Sequence, residues 1–124
     1  MLRSIAHVAL VVRDPARTSE LFSKLFECKI VSRRDAEGHD ETFVKLGGTW
    51  FALIQADAQR TRTGDHIAFK VSKEALDATV QKLESLQVEY IWARNNTSLY
   101  FFDYDNHVFE LDTASLDEEL ETGD

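Results

Sequence analysis

The sequence predicts an α+β protein built from two βαβββ repeats. Three observations indicate this: "HVALVV" at 7–12 resembles "HIAFKV" at 66–71, an amphipathic helical pattern follows each stretch, and a strand and a hairpin follow each helix. Half a chain of this length cannot cover its own sheet with apolar contacts. We therefore expect the two repeats to pack together, within one chain or between two chains.

The two predicted helices have clear start signals. Asp14 is the expected N-cap of the first helix, with Pro15 at its first position, and Ser72 is the expected N-cap of the second. Each helix carries one apolar face. The apolar residues are Leu21, Phe22, Leu25 and Phe26 in the first helix, and Leu76, Val80, Leu83 and Leu86 in the second.

Two hairpins complete the repeats. The stretch 43–54 turns at Gly47-Gly48, and the stretch 100–111 turns at Asp105-Asn106. The polar stretches 32–42 and 55–64 are predicted to be a loop and the linker between the repeats. The chain is thus expected to be a single domain, 1–124, with repeat one at about 1–58, repeat two at about 63–112 and a solvated acidic tail at 113–124.

Composition excludes several classes of function. The net charge of −8 argues against nucleic acid, whose phosphates such a surface repels. No apolar run reaches the roughly 18 residues that a membrane span needs. Cys28 is the single cysteine, so no internal disulfide forms, and this fits a reducing cytoplasm. Because Cys28 continues a helical pattern, we expect it to pack rather than react.

One acid stands where a strand would carry a hydrophobe. Glu110 lies between Phe109 and Leu111, and aligning the two hairpins without gaps places it opposite Leu53. His7 and His66 occupy the same place in the two repeats, at the start of the first strand. A buried carboxylate needs compensation, and two imidazoles with one carboxylate suit Mn, Fe, Zn or Ni.

The other reading of these three residues is structural. A histidine at a strand start is often a satisfied polar residue, and Glu110 could face solvent on an edge strand. The repeat-related placement of both histidines favours the metal site. His39, in a polar loop, and His107, expected to be exposed after its turn, are weaker candidates.

The chain resembles the vicinal oxygen chelate (glyoxalase/bleomycin-resistance/dioxygenase) superfamily, and within it the fosfomycin-resistance proteins of the water-using, FosX-type branch. The resemblance runs from "HVALVVRD" through "DHIAFKV" to "SLYFFDYDNHVFELDTASL", of which the last is the most specific. It implies a cupped mixed sheet of paired modules around a divalent metal, Mn(II) in the resistance enzymes. It also implies a homodimer with exchanged modules, so that His7 comes from one subunit and His66 and Glu110 from the other.

The same resemblance implies roles in opening a small epoxide. Glu41 falls on the position of the glutamate that activates water as general base. Trp50, Ser98 and Tyr100 match positions of the substrate pocket, where Ser98 and Tyr100 would hydrogen-bond phosphonate oxygens. From the residues alone, Glu41 reads as a solvated loop acid, Tyr100 as a strand aromatic and Ser98 as a turn residue.

The chain also departs from the resistance enzymes. Ala9 replaces a threonine, Gly64 a tyrosine, and Tyr90 and Arg94 stand in place of a lysine and a serine of the phosphonate loop. A phosphonate-binding arginine falls on Glu119, and an acid repels a phosphonate. Arg94 is the candidate replacement for the missing cations.

Other functions remain open at this stage. A related enzyme could act on another small oxygen-rich substrate. Glyoxalase I and methylmalonyl-CoA epimerase use a fourth protein ligand where this chain has Leu53, and extradiol dioxygenases with two histidines and one glutamate are longer chains. A non-catalytic, dimeric drug-binding protein of the bleomycin-resistance kind would lack the ligand set.

Overall fold

A computed structural model describes residues 1–57 and 60–121. The chain divides into two units, Met1–Arg60 and Thr61–Asp124. Each unit has the predicted βαβββ order, and each forms a four-stranded mixed sheet. The α+β class and the two repeats are therefore confirmed. That the units form one domain stays a prediction.

The first unit holds one helix and four strands in the spatial order β1-β4-β3-β2. Its elements are β1 (His7–Val12), α1 (Pro15–Phe26), β2 (Lys29–Arg34), β3 (Asp40–Leu46) and β4 (Thr49–Gln55). Strands β1 and β4 are parallel, and the other neighbours are antiparallel. Both edges of the sheet therefore belong to strands, β1 and β2, that pair on one side only.

Helix α1 begins and ends with the predicted local chemistry. The Asp14 carboxylate accepts a hydrogen bond from the backbone N–H of Arg17, at 3.2 Å, and Pro15 opens the helix. Glu27 ends it in the left-handed conformation, with φ of 50°. The apolar face of α1 contacts β2, β3 and β4 and closes the core of this unit. Its buried side chains include Leu10, Val12, Leu21, Phe22, Leu25, Val44, Leu46, Phe51 and Leu53.

The prediction of a loop over residues 32–42 was wrong. Strand β2 continues to Arg34 and β3 starts at Asp40, so only residues 35–39 turn. Cross-strand ion pairs of Arg33 with Glu41 and of Arg34 with Asp40 hold the polar ends of these strands together. Helix α1 stops at Phe26, so Cys28 lies beyond the helix rather than in it, and it is half-buried.

The second unit repeats the plan, with the order β5-β8-β7-β6. Its elements are β5 (Ile67–Lys70), α2 (Lys73–Ser85), β6 (Tyr90–Ala93), β7 (Ser98–Phe102), β8 (Val108–Asp112) and α3 (Leu116–Glu121). The Ser72 hydroxyl caps α2 by accepting from the backbone N–H of Ala75, at 3.1 Å. The buried apolar side chains are Leu76, Val80, Leu83, Val88, Leu99, Phe101, Phe109 and Leu111. Leu86 lies just past the end of α2 and is only half-buried.

The remaining segments differ in part from the prediction. Residues 116–121 of the tail, which was expected to be solvated, form the short helix α3, and none of the residues of α3 is buried. Of the predicted linker, Gln55 belongs to β4, and residues 58 and 59 lie outside the described residues. Among the residues that the structure describes, no helix is long and apolar enough to cross a membrane.

Candidate metal and substrate site

The second unit brings two of the three predicted metal ligands into contact. His66 stands immediately before β5, and Glu110 lies on β8, the strand that pairs with β5. The His66 Nε2 atom lies 3.2 Å from Glu110 Oε1. The Glu110 side chain is only 3% exposed, whereas that of His66 is 33% exposed. The acid is therefore buried at the floor of a site whose imidazole reaches toward solvent.

The hydrogen bonds of this pair leave room for a cation. The His66 Nδ1 atom lies 3.0 Å from the carbonyl oxygen of Gly64, which only accepts, so Nδ1 carries a proton. In the neutral imidazole Nε2 then presents a lone pair to Glu110 Oε1, which also presents one. Glu110 Oε2 is buried and has no hydrogen-bond partner among the described residues. A divalent cation accepts all of these lone pairs, so the donor set fits a metal.

The register of the sheets corrects the gapless alignment of the hairpins. Val8 pairs with Phe51, and Ala9 with Ala52. In the second unit the matching pairs are Ile67 with Phe109, and Ala68 with Glu110. Ala52 rather than Leu53 therefore occupies the position of Glu110 in the first unit. A shift of one residue reverses the face of the strand, and Leu53 is accordingly buried in the core. Alanine offers no ligand either.

Tyr100 and Ser98 lie on the same sheet face as Glu110. Tyr100 is the cross-strand partner of Glu110, and its ring meets the His66 ring edge-on, with centroids 5.2 Å apart. Ser98 pairs with Asp112, two residues along β8. The Ser98 hydroxyl is fully buried and has no partner among the described residues. A buried hydroxyl without a hydrogen-bond partner lowers the stability of the fold unless a bound ligand hydrogen-bonds to it.

Arg94 forms an ion pair with an acidic residue of its own unit. Its Nη1 atom donates to Asp112 Oδ2 at 3.0 Å, and the Arg94 side chain is 51% exposed. Arg94, Asn95 and Asn96 form a turn in which all three residues have positive φ, between 51° and 63°. The charge that was expected to replace lost phosphonate-binding cations is thus offset by Asp112.

The first unit holds His7, Trp50 and Glu41 on one sheet face. His7 pairs with Trp50 across β1 and β4. Both line a cavity of about 360 Å³, together with Ala6, Val31, Arg33 and Phe43. The Trp50 and Phe43 rings meet edge-on, with centroids 6.5 Å apart. The cavity is therefore largely apolar, with an imidazole on one wall and a guanidinium on another.

Glu41 lies next to this cavity rather than in a loop. It is the cross-strand partner of Arg33, whose Nε donates to Glu41 Oε1 at 3.0 Å. The Glu41 side chain is 31% exposed. Arg33 also covers the Phe43 ring, at 5.2 Å from the centroid, so the guanidinium is held on both sides. Glu41 thus has a fixed position and an accessible carboxylate.

The segment that leads to His66 is clamped by a residue that the sequence analysis missed. Arg62 donates to both oxygens of Glu89, at 3.0 and 2.9 Å, and to Asn106 Oδ1, at 3.1 Å. Its guanidinium also stacks on Phe102, at 3.8 Å from the ring centroid. Because these partners lie far along the chain from Arg62, no local pattern could have revealed the clamp.

The expectation that His107 is exposed was wrong. Its residue is only 5% exposed, and its Nδ1 atom lies 2.8 Å from Asp103 Oδ2. The other oxygen of Asp103 accepts from the backbone N–H groups of Asp105 and His107. The pair therefore closes the turn between β7 and β8. The signal was present, since Asp103 precedes His107 by four residues across a turn.

Comparison with known proteins identifies the family. Residues 4–111 match the Glyoxalase/Bleomycin resistance protein/Dioxygenase superfamily. The chain belongs to this superfamily. The fosfomycin resistance protein FosX of Listeria innocua is 30% identical, over 97% of this chain and 96% of the relative. The predicted resemblance to this superfamily and to its FosX-type resistance proteins is confirmed.

Solved structures give the same result. A crystal structure of the fosfomycin resistance protein FosX from Listeria monocytogenes matches with a TM-score of 0.85 and 29% identity, covering 99% of this chain and 100% of that one. A mutant of the same protein, complexed with Mn(II) and 1S,2S-dihydroxypropylphosphonic acid, matches with a TM-score of 0.84 and 30% identity, covering 97% and 99%. The ligand roles of His7, His66 and Glu110 in this chain stay a prediction.

Proposed function

We propose that this chain is a metal-dependent enzyme of the fosfomycin-resistance type, which opens an epoxide of fosfomycin or a related small oxygen-rich substrate with water. The observation that carries this proposal is the buried Glu110 carboxylate, which lies 3.2 Å from His66 Nε2 and keeps one oxygen without a partner among the described residues. The similarity to FosX supports it, because a FosX complex holds Mn(II) and a dihydroxypropylphosphonate, the compound that water would form from an epoxypropylphosphonate.

His7, His66 and Glu110 would hold the metal. Mn(II) is the expected ion, and Fe(II), Zn(II) and Ni(II) also suit two imidazoles and one carboxylate. When bound, the metal polarises the epoxide C–O bond as a Lewis acid. The hydrogen bond from His66 Nδ1 to the Gly64 carbonyl keeps Nε2 turned toward Glu110, which sets the direction of the imidazole lone pair.

Glu41 would act as the general base on water. A water molecule would attack an epoxide carbon and lose a proton to Glu41, while the ring C–O bond breaks and its oxygen leaves as an alkoxide. The alkoxide would then take up a proton, from solvent or from the protonated Glu41, to give the diol. Arg33 fixes the carboxylate for this step. Trp50 supplies an apolar wall, and the buried Ser98 hydroxyl and the Tyr100 phenol are donors for phosphonate oxygens. Arg94 donates from Nη1 to Asp112, so Asp112 would offset part of the charge that Arg94 brings to a substrate.

The dimer with exchanged modules is part of the proposal. His7 from one subunit and His66 with Glu110 from the other would complete each site. A mixture of two inactive homodimers, His7→Ala and Glu110→Gln, tests this after subunit exchange. In the heterodimer one of the two sites then has all three native ligands, so activity returns. If each chain forms its own site, every site in the mixture lacks a ligand and no activity returns.

The test of the reaction is phosphorus NMR of fosfomycin with Mn(II)-loaded protein in the absence of thiol. The proposal expects the diol, with Glu110→Ala and Glu41→Gln both inactive and Glu41→Gln still binding Mn(II). A reaction that requires glutathione would assign the chain to the thiol-transferring branch. No conversion by a protein that binds Mn(II) would assign it to a different substrate.

The single cysteine, Cys28, fits the proposed cytoplasmic location.

A further inference from the structure

One row of side chains crosses the sheet of the first unit on the face that carries His7. The pairing places Trp50 beside His7, Lys45 beside Trp50, and Lys29 beside Lys45. Side chains of directly paired residues point to the same face of a sheet. The imidazole, the indole and the two ammonium groups therefore share one face. Neighbouring strands lie about 4.8 Å apart, so Lys45 is roughly 10 Å from His7 at the backbone.

The two lysines are neighbours without a compensating acid. Like charges at directly opposite positions of antiparallel strands destabilise the sheet. Both side chains nevertheless turn toward Trp50, with Lys29 Nζ 6.0 Å and Lys45 Nζ 5.6 Å from the indole centroid. Within the described part of the chain, neither ammonium group forms an ion pair with a carboxylate. An anion placed between them would relieve their repulsion and gain two charge-assisted contacts.

This face is a local exception to the charge of the chain. The net charge is −8, so the molecule as a whole repels anions. On the His7 face, the Nζ atoms of Lys29 and Lys45 lie 6.0 and 5.6 Å from the centroid of the Trp50 ring, and Trp50 lines the cavity together with His7. Arg33 also borders the cavity, but Glu41 offsets its charge. Among the described residues, the lysine pair therefore carries positive charge near the cavity without a carboxylate partner.

In the second unit Ser98 and Tyr100 offer neutral donors, and the Arg94 guanidinium is paired with Asp112. We propose that Lys29 and Lys45, with Trp50 between them and His7, form an anion-binding site for a phosphonate or carboxylate group. That this group belongs to the substrate rests on the proposed function. The binding of the anion itself does not.

Trp50 provides a direct reporter for the test. The chain has two tryptophans, so the Trp92→Phe protein emits from Trp50 alone. Methylphosphonate is titrated into this protein at low ionic strength, and a saturable change in emission is expected. In Lys29→Gln/Lys45→Gln on the same background, binding should weaken at least about tenfold, the loss expected for one charge-assisted contact. Lys24→Gln/Lys82→Gln makes the same change of net charge on the helices and should bind as the parent does.

Two results would overturn the inference: no saturable response of the parent protein, or equal binding by the Lys29→Gln/Lys45→Gln protein. Turnover separates this failure from a failure of the proposed function. If fosfomycin is hydrolysed and the double variant has an unchanged KM, the anion is held elsewhere although the hydrolase assignment stands. If no epoxide is opened but methylphosphonate binding depends on the two lysines, the anion site stands alone.

Discussion

Replacing Glu110 by glutamine should stabilise the protein without metal and destabilise it, relative to the native chain, with metal. Glu110 Oε2 has no partner among the described residues, and Oε1 lies 3.2 Å from His66 Nε2. In Glu110→Gln the charge is gone, and the amide N–H₂ group donates to Nε2. The substitution thus removes a buried charge whose Oε2 atom has no partner among the described residues, and it leaves a side chain that can still hydrogen-bond to the imidazole.

The size of the effect follows from the burial of the side chain. A buried polar group without a partner costs about 1–3 kcal/mol, and at 3% exposure solvent relieves little of this. For a chain of this size each kcal/mol moves Tm by roughly 4 °C, so Glu110→Gln should unfold about 4–12 °C above the native protein in EDTA. Mn(II) at a thousand times Kd adds about 4.1 kcal/mol to the free energy of unfolding of the native protein. Most of this gain is lost in the variant, which lacks the carboxylate.

Thermal unfolding followed by circular dichroism, in EDTA and in Mn(II), measures both effects. The expected signature is a reversal of order: Glu110→Gln is the more stable protein in EDTA and the less stable one in Mn(II). Glu119→Gln is the control, because it makes the same charge change on the exposed helix α3. Its free energy of unfolding should stay within about 0.5 kcal/mol of that of the native protein in both conditions. A Glu110→Gln protein that melts below the native protein in EDTA would refute the reasoning.

Three further predictions follow from single groups. Arg62→Met frees the segment before His66 and should weaken Mn(II) binding in titration calorimetry. Because the hydrogen bond from Arg62 lowers the pKa of Glu89, the stability that this contact adds is present above the usual glutamate pKa and is lost as the pH falls through the lowered pKa. The free energies of unfolding of the native and variant proteins should therefore converge in acid. Ser98→Ala removes a buried hydroxyl that has no partner in the described structure, so the free energy of unfolding measured in urea should stay within about 1 kcal/mol of the native value. The KM for a phosphonate substrate should rise. Burial raises the pKa of the Cys28 thiol, so at pH 8 this thiol should react with Ellman's reagent more slowly than a free cysteine does, and raising the pH should close the gap.

Much of the fold could be predicted because its signals are local. Asp14 and Ser72 cap the helices by contacts with backbone N–H groups three residues away. The paired histidines at the start of alternating apolar strands revealed the repeat. The sequence analysis predicted strands β2 and β3 too short because the ends of these strands carry charged residues. The cross-strand ion pairs that stabilise those charges cannot be predicted from either strand alone.

The candidate site was predicted as a set of residues rather than as an arrangement. The contact between His66 and Glu110 follows from the parallel pairing of β5 with β8, which the repeat pattern alone does not specify. The equivalence of Glu110 with Leu53 failed because residues 103–107 join β7 to β8, whereas only Gly47-Gly48 join β3 to β4. The longer connection offsets the equivalent positions by one residue. The lysine row beside Trp50 required the register of all strands of the first unit, so no motif could indicate it.

The most direct test of the proposed metal site is the binding of Mn(II) by the native chain, followed by electron paramagnetic resonance of the free ion. We expect one Mn(II) per chain and a loss of at least about tenfold in affinity for each of His7→Ala, His66→Ala and Glu110→Gln. His39→Ala, which changes an exposed histidine on the turn between β2 and β3, is the matched control and should bind as the native protein does. Affinity unchanged in any of the three ligand variants would contradict the shared site.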